Sequence, residues 1–251
     1  MPLAFFGLVF VLSIPLWVIG GAIGLEFLPG LPVSSLATFC PALAAAILVY
    51  RERGQPGVTE LLKRAYDYKR IHSKIWYVPM IIGMPSVMFL SYWLMRVMQL
   101  PLPQPRIPII AVPVMLLGFF VGAVGEELGW SGYATEPIQS RWNALTAGVV
   151  LGVVWAVWHL VPFVQAHRSP TWIVWHCLVT VALRVLLVWI YIKAGRTVFG
   201  VALTHAMANL SFFLFPNYGS HYDPFVTFLV LLPIAVLVGI SLKKESVPKF
   251  S

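Results

Sequence analysis

The chain alternates between long apolar runs and short polar breaks. The runs cover about residues 3–24, 33–50, 75–99, 107–134, 143–164, 172–192, 197–215 and 224–242. As helices rising about 1.5 Å per residue, they can cross a hydrocarbon core of roughly 30 Å, the second only just. Lipid offers the backbone no hydrogen-bond partner, so a span must satisfy its own N–H and C=O groups. Continuous apolarity, rather than alternation, selects helices over a barrel. The pattern therefore predicts an all-α, polytopic membrane protein: eight transmembrane helices in one bundle, residues 1–251 forming a single integral membrane domain. The apolar N-terminus lacks a basic flank and a small-residue cleavage site, and is read as the first helix. The longest polar segment, Arg51 to Lys74, is read as a loop with an interfacial helix around Thr59 to Tyr68.

Composition agrees. Hydrophobic residues make up 59% and charged residues 10%, and mean hydropathy is +0.85. A soluble domain carries about 25% charged residues, so too little polar surface remains to coat a globule in water. The formal net charge is +8, but the basic residues sit between apolar runs, which points to topology and anionic lipid and away from nucleic acid. Cys40 and Cys177 lie in apolar stretches with neither metal-type nor disulfide spacing.

The charges also sort by side. With a cytoplasmic N-terminus, the inside segments hold Arg51, Arg53, Lys63, Arg64, Lys69, Arg70, Lys74, Arg141, Lys193, Arg196, Lys243, Lys244 and Lys249. The outside segments hold Arg96, Arg106 and Arg168. That is 13 against 3, with Arg184 inside a span. The bias predicts eight spans with both termini cytoplasmic, in a cell membrane read as a prokaryotic plasma membrane.

Ionisable groups inside a span cost at least a few kcal/mol, so each asks for a reason. Glu126 and Glu127 fall in the fourth span, His159, His176 and His205 within or near others, and Arg184 in the sixth. At about 100° per residue, Gly122, Gly125, Gly129 and Gly132 share one face that admits a neighbouring backbone. Glu126 borders that face and points into the bundle; Glu127 points elsewhere. His205 and Asn209, at i and i+4, can address one substrate atom, and Trp155 and His159 share the same relation. His176, beside Trp172 and Trp175, reads as part of an interfacial aromatic belt. His167 and His221 read as loop residues without a role. One carboxylate, two histidines and an amide on three helices suit amide hydrolysis, which needs a group to activate water and donors for the oxyanion. Neither G-x-S-x-G nor H-E-x-x-H occurs. With straight spans Glu126 lies near the inner end of its helix and His159 near the outer part of its own. Their meeting requires the fourth helix to run on to about Gln139 and to tilt or bend.

The segment Glu126-Glu127-Leu128-Gly129-Trp130-Ser131-Gly132-Tyr133 resembles the E-E-x-x-x-R motif of the CPBP family, the type II CAAX prenyl endopeptidase and bacteriocin-processing or immunity group. Trp155 to His159 resembles its aromatic-x-x-x-H motif, and His205 to Asn209 its H-x-x-x-N motif. The motifs lie within about residues 120–212, in the family's order. The resemblance implies a glutamate-dependent intramembrane protease acting on a membrane-associated peptide or lipidated protein. It implies Glu126 as general base, His159 holding the attacking water, and His205 and Asn209 stabilising the oxyanion. Glu127, Arg184 and Trp155 would support them. No metal or other cofactor is expected, with zinc on the two histidines and a carboxylate as the alternative. Ser131 departs from the motif arginine, which would pair with Glu127 at i and i+4. Either Glu127 is protonated or Arg184 supplies the charge from another helix. Failing both, the chain is a non-catalytic interaction or immunity protein of the same fold; a proton-relay transporter is the remaining class.

Overall fold

A computed structural model describes residues 2–28, 31–105, 107, 109–243 and 245. Nearly all of it is helical. α1 spans Pro2–Ile23 and leads into a small antiparallel hairpin, β1 (Glu26–Leu28) and β2 (Leu31–Pro32). A 3-10 segment, Val33–Phe39, opens into α2 (Cys40–Lys63). α3 is Tyr77–Val97, α4 Val112–Gly129, α5 Thr135–Arg141, α6 Ala144–Gln165, α7 Pro170–Lys193, α8 Val198–Leu214 and α9 Pro224–Lys243. α4 and α5 join through a π-helical turn, Trp130–Ala134, into one helix from Val112 to Arg141.

The eight expected spans are present with two corrections. The second does not stop near residue 50. The helical run breaks at Gly54, where φ is +63° and ψ −162°, and a second helix continues from there to Lys63 and into 3-10 turns; this is the helix expected around Thr59 to Tyr68, begun earlier. The kink falls on the residue that reaches left-handed φ at least cost. The fourth span starts at Val112 rather than 107 and ends at Arg141, the extension that the two depths require. Arg106, Lys244 and Lys249 lie outside the described residues.

Among the described residues, seven helical segments are long and apolar enough to cross a membrane. α8, at 17 residues, is shorter. It is also the bundle's inner helix: residues from Val198 to Phe213 are buried on most sides, against α3, α4 and α7. A helix wrapped by others need not match the bilayer thickness itself. Elsewhere large apolar side chains face outward, among them Val18, Phe89, Val114 and Leu237, as lipid contact requires. Hydroxyls within the spans return their proton to the preceding turn: Ser13 to Val9 O, Ser91 to Val87 O and Thr204 to Gly200 O, all at 2.8 Å.

The two ends of the bundle differ. At one, Arg64 donates to Gly132 O, Tyr191 Oη and Arg196 O, Arg196 pairs with Glu136, Tyr133 donates to Glu52, and Lys193 pairs with Glu245. Asp67 caps α8 there, accepting from Val198 N and Phe199 N. Phe5 packs on Trp130 and Tyr133 at this end, so α1 begins where α9 finishes. The other end holds the hairpin, the 166–169 turn and the 215–223 loop.

Candidate active site

Glu126 and Glu127 are neighbours in sequence with separate surroundings. Glu126 Oε2 accepts from Trp155 Nε1 at 2.6 Å and Oε1 from Thr38 Oγ1 at 3.2 Å. It lines a cavity of about 380 Å³. Two donors leave free acceptor positions on an ionised carboxylate, which has about four. Glu127 is fully buried behind it. Its Oε2 accepts from Arg184 Nη1 at 2.8 Å and from Ser131 Oγ at 2.5 Å, and its Oε1 is 3.0 Å from His205 Nδ1. Arg184 therefore takes the place that the motif arginine would fill, and Ser131 still reaches the carboxylate from one turn away. Arg184 also stacks on Trp155, 4.0 Å from the ring centroid.

Local structure places these groups. Gly125 and Gly129 let α4 press on the start of α2: an added Cβ at Gly125 would sit 2.9 Å from Thr38 O, and at Gly129 2.5 Å from Pro41 O. This contact carries Thr38 to Glu126. The π turn that follows adds a residue and rotates the helix, so Gly132 leaves the shared face and meets Leu61 and Val198 at ordinary distances. Gly152 brings α6 onto α7, its Cβ position 2.9 Å from Val181 Cα and 3.2 Å from Arg184 Cβ. That approach sets the guanidinium under Trp155.

Trp155 is the hinge of the cluster. Its ring meets His159 edge-on at 5.2 Å and His205 at 5.1 Å. His159 Nδ1 lies 2.8 Å from Trp155 O; with the proton on Nδ1 facing that carbonyl, the neutral ring keeps its lone pair on Nε2. His205 Nδ1 facing the Glu127 carboxylate carries the proton by the same logic, so its charged form presents an Nε2–H. Glu126, Trp155, His159, His205 and Asn209 all line the one cavity, which brings the four expected site residues and Trp155 together. Glu127 and Arg184 form the layer behind.

Sequence reasoning missed Thr38, an ordinary span threonine whose only signal is its place opposite the glycine face. It also left His176 in a membrane-interface belt. The ring instead forms part of the cavity wall, stacked on Trp172 at 4.5 Å and edge-on to Phe163 at 4.8 Å, while Phe163 stacks on His159 at 5.6 Å. Arg168, in the turn above, covers Trp172 at 4.9 Å. Partial burial holds its pKa below the ordinary arginine value, with Glu26 opposing. Burial pushes the phenol of Tyr222, in the facing loop, above its ordinary value. Among the described residues no group of three His, Cys, Asp or Glu side chains is arranged to hold a metal ion.

The comparisons with known proteins agree with this picture. Residues 108–211, which contain every motif named above, match the family model of the Rce1-like type II CAAX prenyl endopeptidases. The "CAAX prenyl protease 2" of Methanococcus maripaludis is 25% identical over 236 residues, covering 84% of this chain and 83% of the relative. The match extends well past the motifs, into the helices that frame the cavity. Across residues 108–211, and more thinly over most of its length, the chain is similar to the Rce1-like type II CAAX prenyl endopeptidases.

Proposed function

We propose that this chain hydrolyses a peptide bond of a membrane-associated or lipidated substrate by water activated on Glu126. The observation that carries the reading is a carboxylate on the cavity wall, oriented by Trp155 and Thr38, beside His159, His205 and Asn209. Glu126 removes a proton from water, with His159 Nε2 accepting a hydrogen bond from the same molecule. The oxygen adds to the carbonyl carbon, and charge moves to the carbonyl oxygen, where His205 Nε2–H and the Asn209 amide donate. The proton then passes from Glu126 to the leaving nitrogen, the C–N bond breaks, and a carboxylate and an amine are released. Glu127 takes no proton; it holds His205 in register and balances Arg184. A cell membrane, read as a prokaryotic plasma membrane, is the setting.

This chemistry runs without a metal. Chelation should leave turnover unchanged and elemental analysis should find no stoichiometric zinc; activity lost to a chelator and restored by zinc would overturn that part of the reading.

The test is a panel of lipidated and plain membrane peptides given to the purified wild type and to Glu126→Ala, with products read by mass spectrometry. The wild type should yield a new C-terminus and the variant none. Cleavage that survives in the variant removes Glu126 from the mechanism. A wild type inert across the panel favours the interaction or immunity reading, for which Ser131 in place of the motif arginine is the specific observation.

A further inference from the structure

We infer that the Thr38 hydroxyl is a positioning switch for Glu126. It turns its one proton between the Glu126 carboxylate and the Gly122 carbonyl as Glu126 gives up and takes the water's proton, and it directs that proton to Oε1. This role deepens, and rests on, the protease reading above.

Thr38 lines the cavity from the 3-10 segment that precedes α2. Its Oγ1 stands 3.0 Å from Gly122 O and 3.2 Å from Glu126 Oε1. A hydroxyl has one proton to donate and lone pairs with which to accept, so Thr38 serves one of these oxygens at a time. Gly122 and Glu126 are i and i+4 in α4, where a regular helix already gives the Gly122 carbonyl the N–H of Glu126. That carbonyl is therefore satisfied whether or not Thr38 turns to it. An ionised carboxylate is the stronger acceptor, so Thr38 donates to Oε1 while Glu126 is charged. Once Oε1 carries a proton it is a poor acceptor and a new donor. Thr38 then turns its hydrogen to Gly122 O and offers Oγ1 to the new O–H. The close approach of Gly125 to Thr38 O and of Gly129 to Pro41 O holds the heavy atoms in place, so the switch moves a hydrogen and little else.

The other carboxylate oxygen lacks this freedom. Oε2 accepts from Trp155 Nε1 at 2.6 Å, and an indole N–H is a donor that cannot accept. Trp155 is buried. A proton on Oε2 would weaken that bond and leave a buried donor poorly served, a cost that Thr38 avoids on Oε1 by turning to Gly122 O. The reaction then balances on one oxygen. The water's O–H bond breaks, an O–H bond forms at Oε1, and the water oxygen bonds to the carbonyl carbon. The proton leaves Oε1 for the departing nitrogen as the C–N bond breaks, and Thr38 turns back to the carboxylate.

The test compares Thr38→Val, which keeps the shape and removes the hydroxyl, with Thr38→Ser, which keeps the hydroxyl. Both are purified as the full chain and given a peptide that the wild type cuts, with kcat, KM and melting temperature read on each. Thr38→Val should lower kcat by about 10–10²-fold, the worth of one hydrogen bond to a charged group, with KM and melting temperature held. Thr38→Ser should keep the wild-type kcat. If Thr38→Val does not fold, Thr38→Ala replaces it in the comparison. A wild-type kcat in the hydroxyl-free variant, a loss that Thr38→Ser shares, or a loss confined to KM overturns the switch while Glu126 remains the base. Cleavage that survives in Glu126→Ala, or a wild type that cuts no peptide, removes the base that Thr38 would serve and ends both readings.

Discussion

Glu127 and Arg184 are a charge pair sealed from both water and cavity, with Ser131 and His205 also bonded to the carboxylate. Such a pair contributes little over an apolar replacement of the same shape, yet removing one partner strands the other. Arg184→Leu should therefore cost about 3–5 kcal/mol in a detergent unfolding measurement, and Ser131→Ala about 1–3 kcal/mol, the penalty for one lost donor to a buried acceptor. Reversing both charges should recover part of the loss seen in either single reversal. Recovery stays partial because a guanidinium at position 127 would face His205 and Ser131. No recovery at all would show that the two side chains do not act as a pair. Asn209→Ala removes a cavity-facing amide outside this network. It should lower kcat by about 10²–10³, the effect of losing one oxyanion donor, while leaving the melting temperature unchanged.

Between elements, close approach decides the site. Gly129 meets the Pro41 carbonyl where no Cβ fits, whereas Gly132, one turn on, has room. Gly129→Ala should cost about 1–3 kcal/mol through overpacking and lower activity by pulling Thr38 from Glu126, and Gly132→Ala should stay within about 0.5 kcal/mol of wild type. Equal effects at the two positions would contradict this account of the α2–α4 contact. The contrast also marks how far sequence reaches. Four glycines at helical spacing announce a packing face, but a regular helix keeps all four in line, and only the π turn at Trp130–Ala134 removes the last. A π turn has no pattern of its own in the residues. Beyond Gly54 a helix around Thr59 was legible but its earlier start was not, because a glycine and a proline in a polar stretch read as a loop until the packing of Leu61 is known.

At the scale of the whole molecule, span number and the site's polar residues were legible because lipid punishes exceptions: an acid or imidazole in an apolar run stands out, and of these Glu126, His159, His176 and His205 line one cavity, with Glu127 paired to Arg184 behind it. Thr38 and Phe163 were not legible, since a threonine or phenylalanine in a span is unremarkable and only the approach of another helix gives it a partner. The account turns on Glu126 acting as a base in that cavity. The most direct measurement is the turnover of Glu126→Gln on a peptide cut by the wild type, with the melting temperature taken on the same sample. Glutamine keeps the size and a carbonyl for Trp155 or Thr38 but cannot take a proton from water. The account predicts a loss of at least about 10²–10⁴ in turnover with the melting temperature held; cleavage at the wild-type rate would contradict it.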